Sequence, residues 1–91
     1  MATVTLKPLE EQVLQILNKH DPLKIIAMGA PLDEYIDEAR DLTNLIGTAK
    51  DQEAMHMSVY TVFVSYFGVQ MAGARKDYQK ISEELYAIQE I

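Results

Sequence analysis

Two residue pairs in this 91-residue chain have types and spacing that suit chemistry. Glu53-Ala-Met-His56 is a Glu-x-x-His run. On a helix it puts a carboxylate and an imidazole on one face, as in carboxylate-bridged di-iron bundles. That chemistry needs a second such run and two further carboxylates. His20, the other histidine, has no glutamate three positions before it. Only a symmetric dimer would double the set. The expectation is therefore an exposed Glu53, a partly buried His56 and no metal. His20-Asp21 has the order of a metal-phosphohydrolase dyad, yet such sites draw on more His and Asp ligands than this chain offers. The simpler expectation is that Asp21 caps a helix and His20 stacks near Pro22 or Tyr35. No catalytic residue and no cofactor is expected. A metal-dependent enzyme using Glu53 and His56 is the remotest functional reading.

A third group is electrostatic. Asp33, Glu34, Asp37, Glu38 and Asp41 lie at helical spacing, offset only by Arg40. Calcium loops alternate their carboxylates and carry a glycine at the bend, so this spacing does not predict a calcium site. It predicts a solvated face, or a surface that a basic protein partner would recognise. Met55, Met57 and Met71, with Tyr60 and Phe67, make either core or an adaptable apolar surface.

These residues need elements to hold them. Pro8, Pro22, Gly29, Pro31, Gly47, Gly68 and Gly73 cut the chain into helix-sized pieces. The first piece starts near Pro8, a favourable first-turn residue. Leu9, Val13, Ile16 and Leu17 give it one apolar face, and it must stop near His20 because Pro22 disfavours helix at Asp21. Asp21 then caps a short helix carrying Leu23, Ile25, Ile26 and Met28, ended by Gly29 in a left-handed conformation. Pro31 opens the next helix. Leu32, Tyr35, Ile36, Ala39, Leu42 and Ile46 form its apolar stripe, opposite the acids, and Gly47 ends it.

Thr48-Ala-Lys-Asp51 resembles a capping box ahead of the third main helix. Residues 54–74 then pass without one Asp, Glu, Lys or Arg. Their mean hydropathy is roughly 1, low for a membrane span. Met55, Val59, Val62 and Tyr66 share one helical face, and Ser58, Thr61, Ser65 and Gly68 form a narrow face of small residues. This predicts a central helix buried on several sides, with the small face open to close approach by a neighbour. The last helix runs from about Arg75, with Ala74, Tyr78, Ile81, Leu85 and Ile88 inward and a Lys80–Glu84 pair outward.

Composition narrows the function. Fourteen acidic residues against eight basic ones give a net charge of −6, which argues against nucleic-acid binding. The absence of cysteine removes disulfides, thiolate metal sites and cysteine nucleophiles. No signal peptide or membrane span is expected, so the expected location is cytoplasmic.

The run His20-Asp-Pro-Leu followed by Met28-Gly-Ala-Pro-Leu-Asp-Glu-Tyr35 resembles a signature of the YugE-like family, small bacterial helical proteins of unknown function. Val62-Phe63 and Tyr66-Phe67-Gly68 are similar to that family's third helix. The resemblance implies a helical bundle with Asp21, Pro22, Gly29, Pro31 and Tyr35 as its structural motif, and it implies no catalytic residues. The combined expectation is an all-α domain over residues 1–91. It is a small bundle of four main helices plus one short helix after the first. The expected function is a non-enzymatic protein-binding or regulatory module, using Asp33, Glu34, Asp37, Glu38 and Asp41. The alternative is a structural protein that homodimerises through the third main helix.

Overall fold

The computed structural model describes residues 6–90. Four α-helices account for most of them: α1 (Pro8–His20), α2 (Ile36–Leu45), α3 (Gln52–Ala72) and α4 (Gln79–Gln89), with a 3-10 turn over Arg75–Tyr78 leading into α4. No described residue is in a strand. The protein is a small all-α bundle, as the spacing of apolar residues predicts.

The helices stand as the four corners of the bundle. α1 packs against α2 and α4, α3 packs against the same two, and α1 and α3 lie diagonally. The expected central position of α3 is thus corrected: it holds a corner. Its largely charge-free sequence makes it apolar over more than half of its circumference, but only one side has helices to meet. Met55, Val59, Val62 and Phe63 turn inward, while Met57, Tyr66, Val69 and Met71 stay exposed. Ser58 is half-buried, while Thr61, Ser65 and Gly68 face solvent, so most of the small-residue face is left uncovered by the described helices of this chain. No described helix is long and apolar enough to cross a membrane.

Phe63 is the hub of the core. Its ring lies 4.9 Å from that of Tyr78 and 5.9 Å from those of Tyr35 and Phe67, joining α3 to the end of the 3-10 turn and the start of α2. Val13 and Leu17 of α1, Ala39 and Leu42 of α2, and Ile81 and Leu85 of α4 close around it. Offset and tilted aromatic pairs of this kind add to the burial of their large apolar area.

Several ends differ from expectation. The short helix after α1 is absent: residues 22–34 form successive turns. Asp21 caps these turns instead of a helix, as described below. α2 starts at Ile36, five residues beyond Pro31, because Tyr35 is drawn toward Asp21 with non-helical ψ of 17°. The Thr48 capping box does not form. Asp51 itself is the N-cap of α3, accepting the Ala54 N–H at 2.8 Å, and Thr48 donates to the Leu45 carbonyl. The last helix begins as a tighter 3-10 turn, and Glu84 does not pair with Lys80. It reaches α1 instead, taking Lys19 Nζ at 2.5 Å and His20 Nε2. His20 is therefore tied to α4 and does not stack on Tyr35. Gln89 holds the α2–α3 connection through Gly47 N, Ala49 N and Ala49 O.

Candidate partner-binding face

The turn segment between α1 and α2 is built around one carboxylate. Asp21 ends α1 in a left-handed conformation, φ 46°. Asp tolerates that geometry because its short side chain bonds to nearby backbone. Its Oδ1 accepts the Ile26 N–H at 3.1 Å and the Tyr35 hydroxyl at 2.8 Å, and its Oδ2 accepts the Ala27 N–H at 2.9 Å. Tyr35 in turn accepts the Leu23 N–H at 3.1 Å. Burial pushes the Asp21 carboxyl up, but the bonds from Ala27, Tyr35 and Ile26, with the nearby Lys24 charge, outweigh it and hold the group below its ordinary value. Burial and the bond to Asp21 push the Tyr35 phenol far up, so it stays a neutral donor.

Of the other motif residues, Pro22 stops α1 and Gly29, at φ 100°, closes the turn in which the Ala30 N–H donates to the Ile25 carbonyl. Pro31 supplies the carbonyl that the Glu34 N–H reaches. Asn18 of α1 donates to the Leu32 carbonyl at 2.7 Å. A segment pinned at this many points presents side chains in fixed places. Met28 is 82% exposed and Leu32 67%, and neither is drawn into the core. The placement of Leu32 corrects the expected stripe, which assumed that helix began at Pro31.

The acids follow directly. Asp33 and Glu34 lie in the last turn before α2, and Asp37 and Asp41 stand on its outer side, all exposed. No described Lys, Arg or His forms an ion pair with any of the four. Glu38 departs from the expected face. It is 3% exposed, and its Oε2 finds no hydrogen-bond partner among the described residues. Burial raises its pKa, opposed by a bond to its own backbone N–H and reinforced by Asp37, Asp41 and Glu34. One residue past Asp37 is a 100° rotation of the helix, enough to move a side chain from the edge of the stripe to its interior.

Tyr66 of α3 extends this face. Its hydroxyl donates to Asp41 Oδ2 at 2.7 Å, which, with partial desolvation, pushes the phenol up to about 12. Helical spacing assigned Tyr66 to the apolar stripe, and nothing in the sequence pointed to Asp41, 25 positions away. The face thus combines four carboxylates without an ion pair among the described residues, one of them bonded by Tyr66, with the exposed apolar groups of Leu32 and the Tyr66 ring.

The Glu53–His56 pair meets elsewhere. Glu53 forms an ion pair with Arg75, and the buried His56 places Nε2 2.7 Å from the Arg75 carbonyl oxygen. Both residues thus fasten the 3-10 turn to the start of α3. No described group of three or more His, Cys, Asp or Glu is arranged to hold a metal ion. No protein-family model, curated protein or solved structure matches this chain.

Proposed function

We propose that this protein is a non-enzymatic protein-binding module whose contact face is the outer edge of α2 with the turn before it. One observation carries the reading. Asp33, Glu34, Asp37 and Asp41 are exposed together, without an ion pair among the described residues, beside exposed Leu32 and the Tyr66 ring. Uncompensated charge beside apolar surface suits a partner carrying Lys or Arg around an apolar anchor. The rigid support from Asp21 and Tyr35 favours the same reading, because a preorganised surface loses less freedom on binding. The partner class is a basic protein, not a nucleic acid. The site of action is the cytoplasm, in keeping with a cysteine-free chain, and the resemblance to YugE-like proteins fits a small module without a catalytic set.

The test is capture of partners from a native lysate by the wild type and by an Asp33→Asn/Asp37→Asn/Asp41→Asn variant. These side chains are exposed, so the variant should fold with an unchanged circular dichroism spectrum. Capture should weaken sharply, and wild-type capture should fall with added salt. Equal capture by both proteins would remove the face from the proposal.

A further inference from the structure

The corner between α3 and α4 is tied by Glu53 to Arg75, by His56 to the Arg75 carbonyl, and by the Tyr60 and Tyr78 hydroxyls to the Gly73 and Ala72 carbonyls, yet neither proline nor a capping side chain enforces it. No proline follows Pro31. From residue 70 to 76 the chain reads Gln-Met-Ala-Gly-Ala-Arg-Lys, which apart from Gly73 consists of good helix formers. Neither the 3-10 turn nor α4 has a side-chain N-cap, whereas α3 begins with a capping aspartate. The turn is made by two glycines. Gly68 breaks the helical path of α3 at φ 82°, ψ 161°, and Gly73 ends it at φ 83°, ψ −150°. Both values lie in the range open mainly to glycine. A Cβ at Gly68 would meet nothing within 4 Å, and one at Gly73 would meet only Asp77 Oδ2, at 3.4 Å. Backbone conformation and the side-chain ties, not crowding at the glycines, therefore hold the corner bent.

The bent form leaves loose ends. Val69 and Met71, inside the corner, are 64% and 60% exposed, and the buried Arg75 Nε has no hydrogen-bond partner among the described residues. An open surface groove of about 410 Å³ runs between α1 and α4, lined by Gln12, Ile16, Ala87 and Ile88 and by the paired Lys19 and Glu84. The ties that hold α4 in place are specific and would form equally well between two chains: Lys19 and His20 to Glu84, Gln52 to Ser82, and Gln89 to the 47–49 backbone.

We propose that α4 is an exchangeable element and that its second partner is another copy of this chain. In the exchanged dimer Gly68 and Gly73 take right-handed helical values. α3 continues through residues 75–78 into α4, and each α4 fills the seat against α1 and α3 of the other copy. The interfaces of α4 with α1 and α3 are then remade between chains, which is why such exchange needs little new surface, and the bonds within the corner, Tyr60 OH to the Gly73 carbonyl and Tyr78 OH to the Ala72 carbonyl, are given up. The two straightened hinges cross near the dimer axis. Val69, three residues after Tyr66 on the same helical face, meets its copy there. This goes beyond the acidic-face reading and shares no residue of that face apart from Tyr66.

The test compares the full-length wild type, a Gly68→Ala/Gly73→Ala variant and an Ala74→Pro variant. Alanine at both glycines favours the helical hinge and should tighten dimerisation by about ten-fold or more. Proline at position 74 suits the bent form, where φ is −86°, and blocks a continuous helix. It should abolish the dimer. Paired labels at Lys50 and Glu90 of one chain, diluted with unlabelled protein, then report the path of the chain. In the monomer they are close, since Gln89 touches Ala49. In the exchanged dimer a helix over residues 52–89 separates them by on the order of 57 Å. A double variant that stays monomeric, or a dimer that keeps the short intrachain distance, overturns the proposal. Should the double variant not fold, the wild type refolded at high concentration decides. A dimer that Ala74→Pro lacks supports exchange, and identical monomers from both overturn it.

Discussion

Asp21 and Tyr35, fourteen positions apart, meet at 2.8 Å between a carboxylate oxygen and a phenol hydroxyl. That bond ties the end of α1 to the start of α2 and closes the turns of residues 22–34 between them. The Ile26 and Ala27 N–H groups join the carboxylate and the Leu23 N–H joins the phenol, so both partners are also bonded to the segment that they enclose. Through it the interior of the bundle fixes the place of Leu32, Asp33 and Glu34 on the surface.

Loss of either partner should be costly. Tyr35→Phe keeps the ring, strands the Leu23 N–H and leaves Asp21 Oδ1 with the Ile26 N–H alone. We expect a loss of about 1–2 kcal/mol. Asp21→Ala strands three donors, and about 3 kcal/mol or more is expected. Urea unfolding measures both. A Tyr35→Phe variant as stable as the wild type would show that the bond does not organise the segment.

Acid should destabilise the fold through two carboxylates. Asp21 and Glu84 both lie below their ordinary values. In each, burial raises the pKa and is outweighed, for Glu84 by the bonds and charges of Lys19 and His20. A folded-state pKa below the unfolded one means that the unfolded chain binds more protons in that window. Their stabilisation is complete above the ordinary carboxylate range and is lost as pH falls through the folded values. Urea midpoints should fall between about pH 5 and pH 3. Glu84→Gln and Asp21→Asn should each flatten that slope, and an unchanged slope in both would contradict the assignment.

Glu38 should act with the opposite sign. Burial raises its pKa, so the folded chain holds its proton longer than the unfolded chain does. Its cost grows as pH rises through that window and persists above it. Glu38→Gln removes the charge and keeps the shape. The variant should melt higher than the wild type at neutral pH, and the gain should shrink in acid. A lower melting temperature at neutral pH would show that the carboxylate has a partner that the neutral amide cannot replace.

Phe63 should be the costliest single truncation in the core. It touches Tyr35, Phe67 and Tyr78 and is fully buried, so Phe63→Ala should lose about 3–5 kcal/mol. Met57→Ala, at an exposed position of the same helix, should change stability by about 0.5 kcal/mol or less. Similar losses at both positions would mean that the outer side of α3 is covered in solution.

The sequence by itself determined the helical class, the four main helices and most of the inward residues. Val13, Leu17, Ala39, Leu42, Val59, Tyr78, Ile81 and Leu85 all repeat at helical spacing, and burial follows that period because each helix has a side facing the others. Proline and glycine marked the breaks, since their backbone restrictions act locally. Tertiary structure decided what depends on distant partners. Residues 22–34 became turns because Asp21 found Tyr35 and two backbone donors. Glu84 chose Lys19 and His20 over Lys80 because α1 lies alongside. Glu38 went inside although its type and neighbours placed it on the acidic face. α3 took a corner and not the centre, because an apolar sequence states only how much surface a helix can bury. How much is buried depends on how many neighbours the bundle provides, and here that leaves Met57, Val69 and Met71 in solvent.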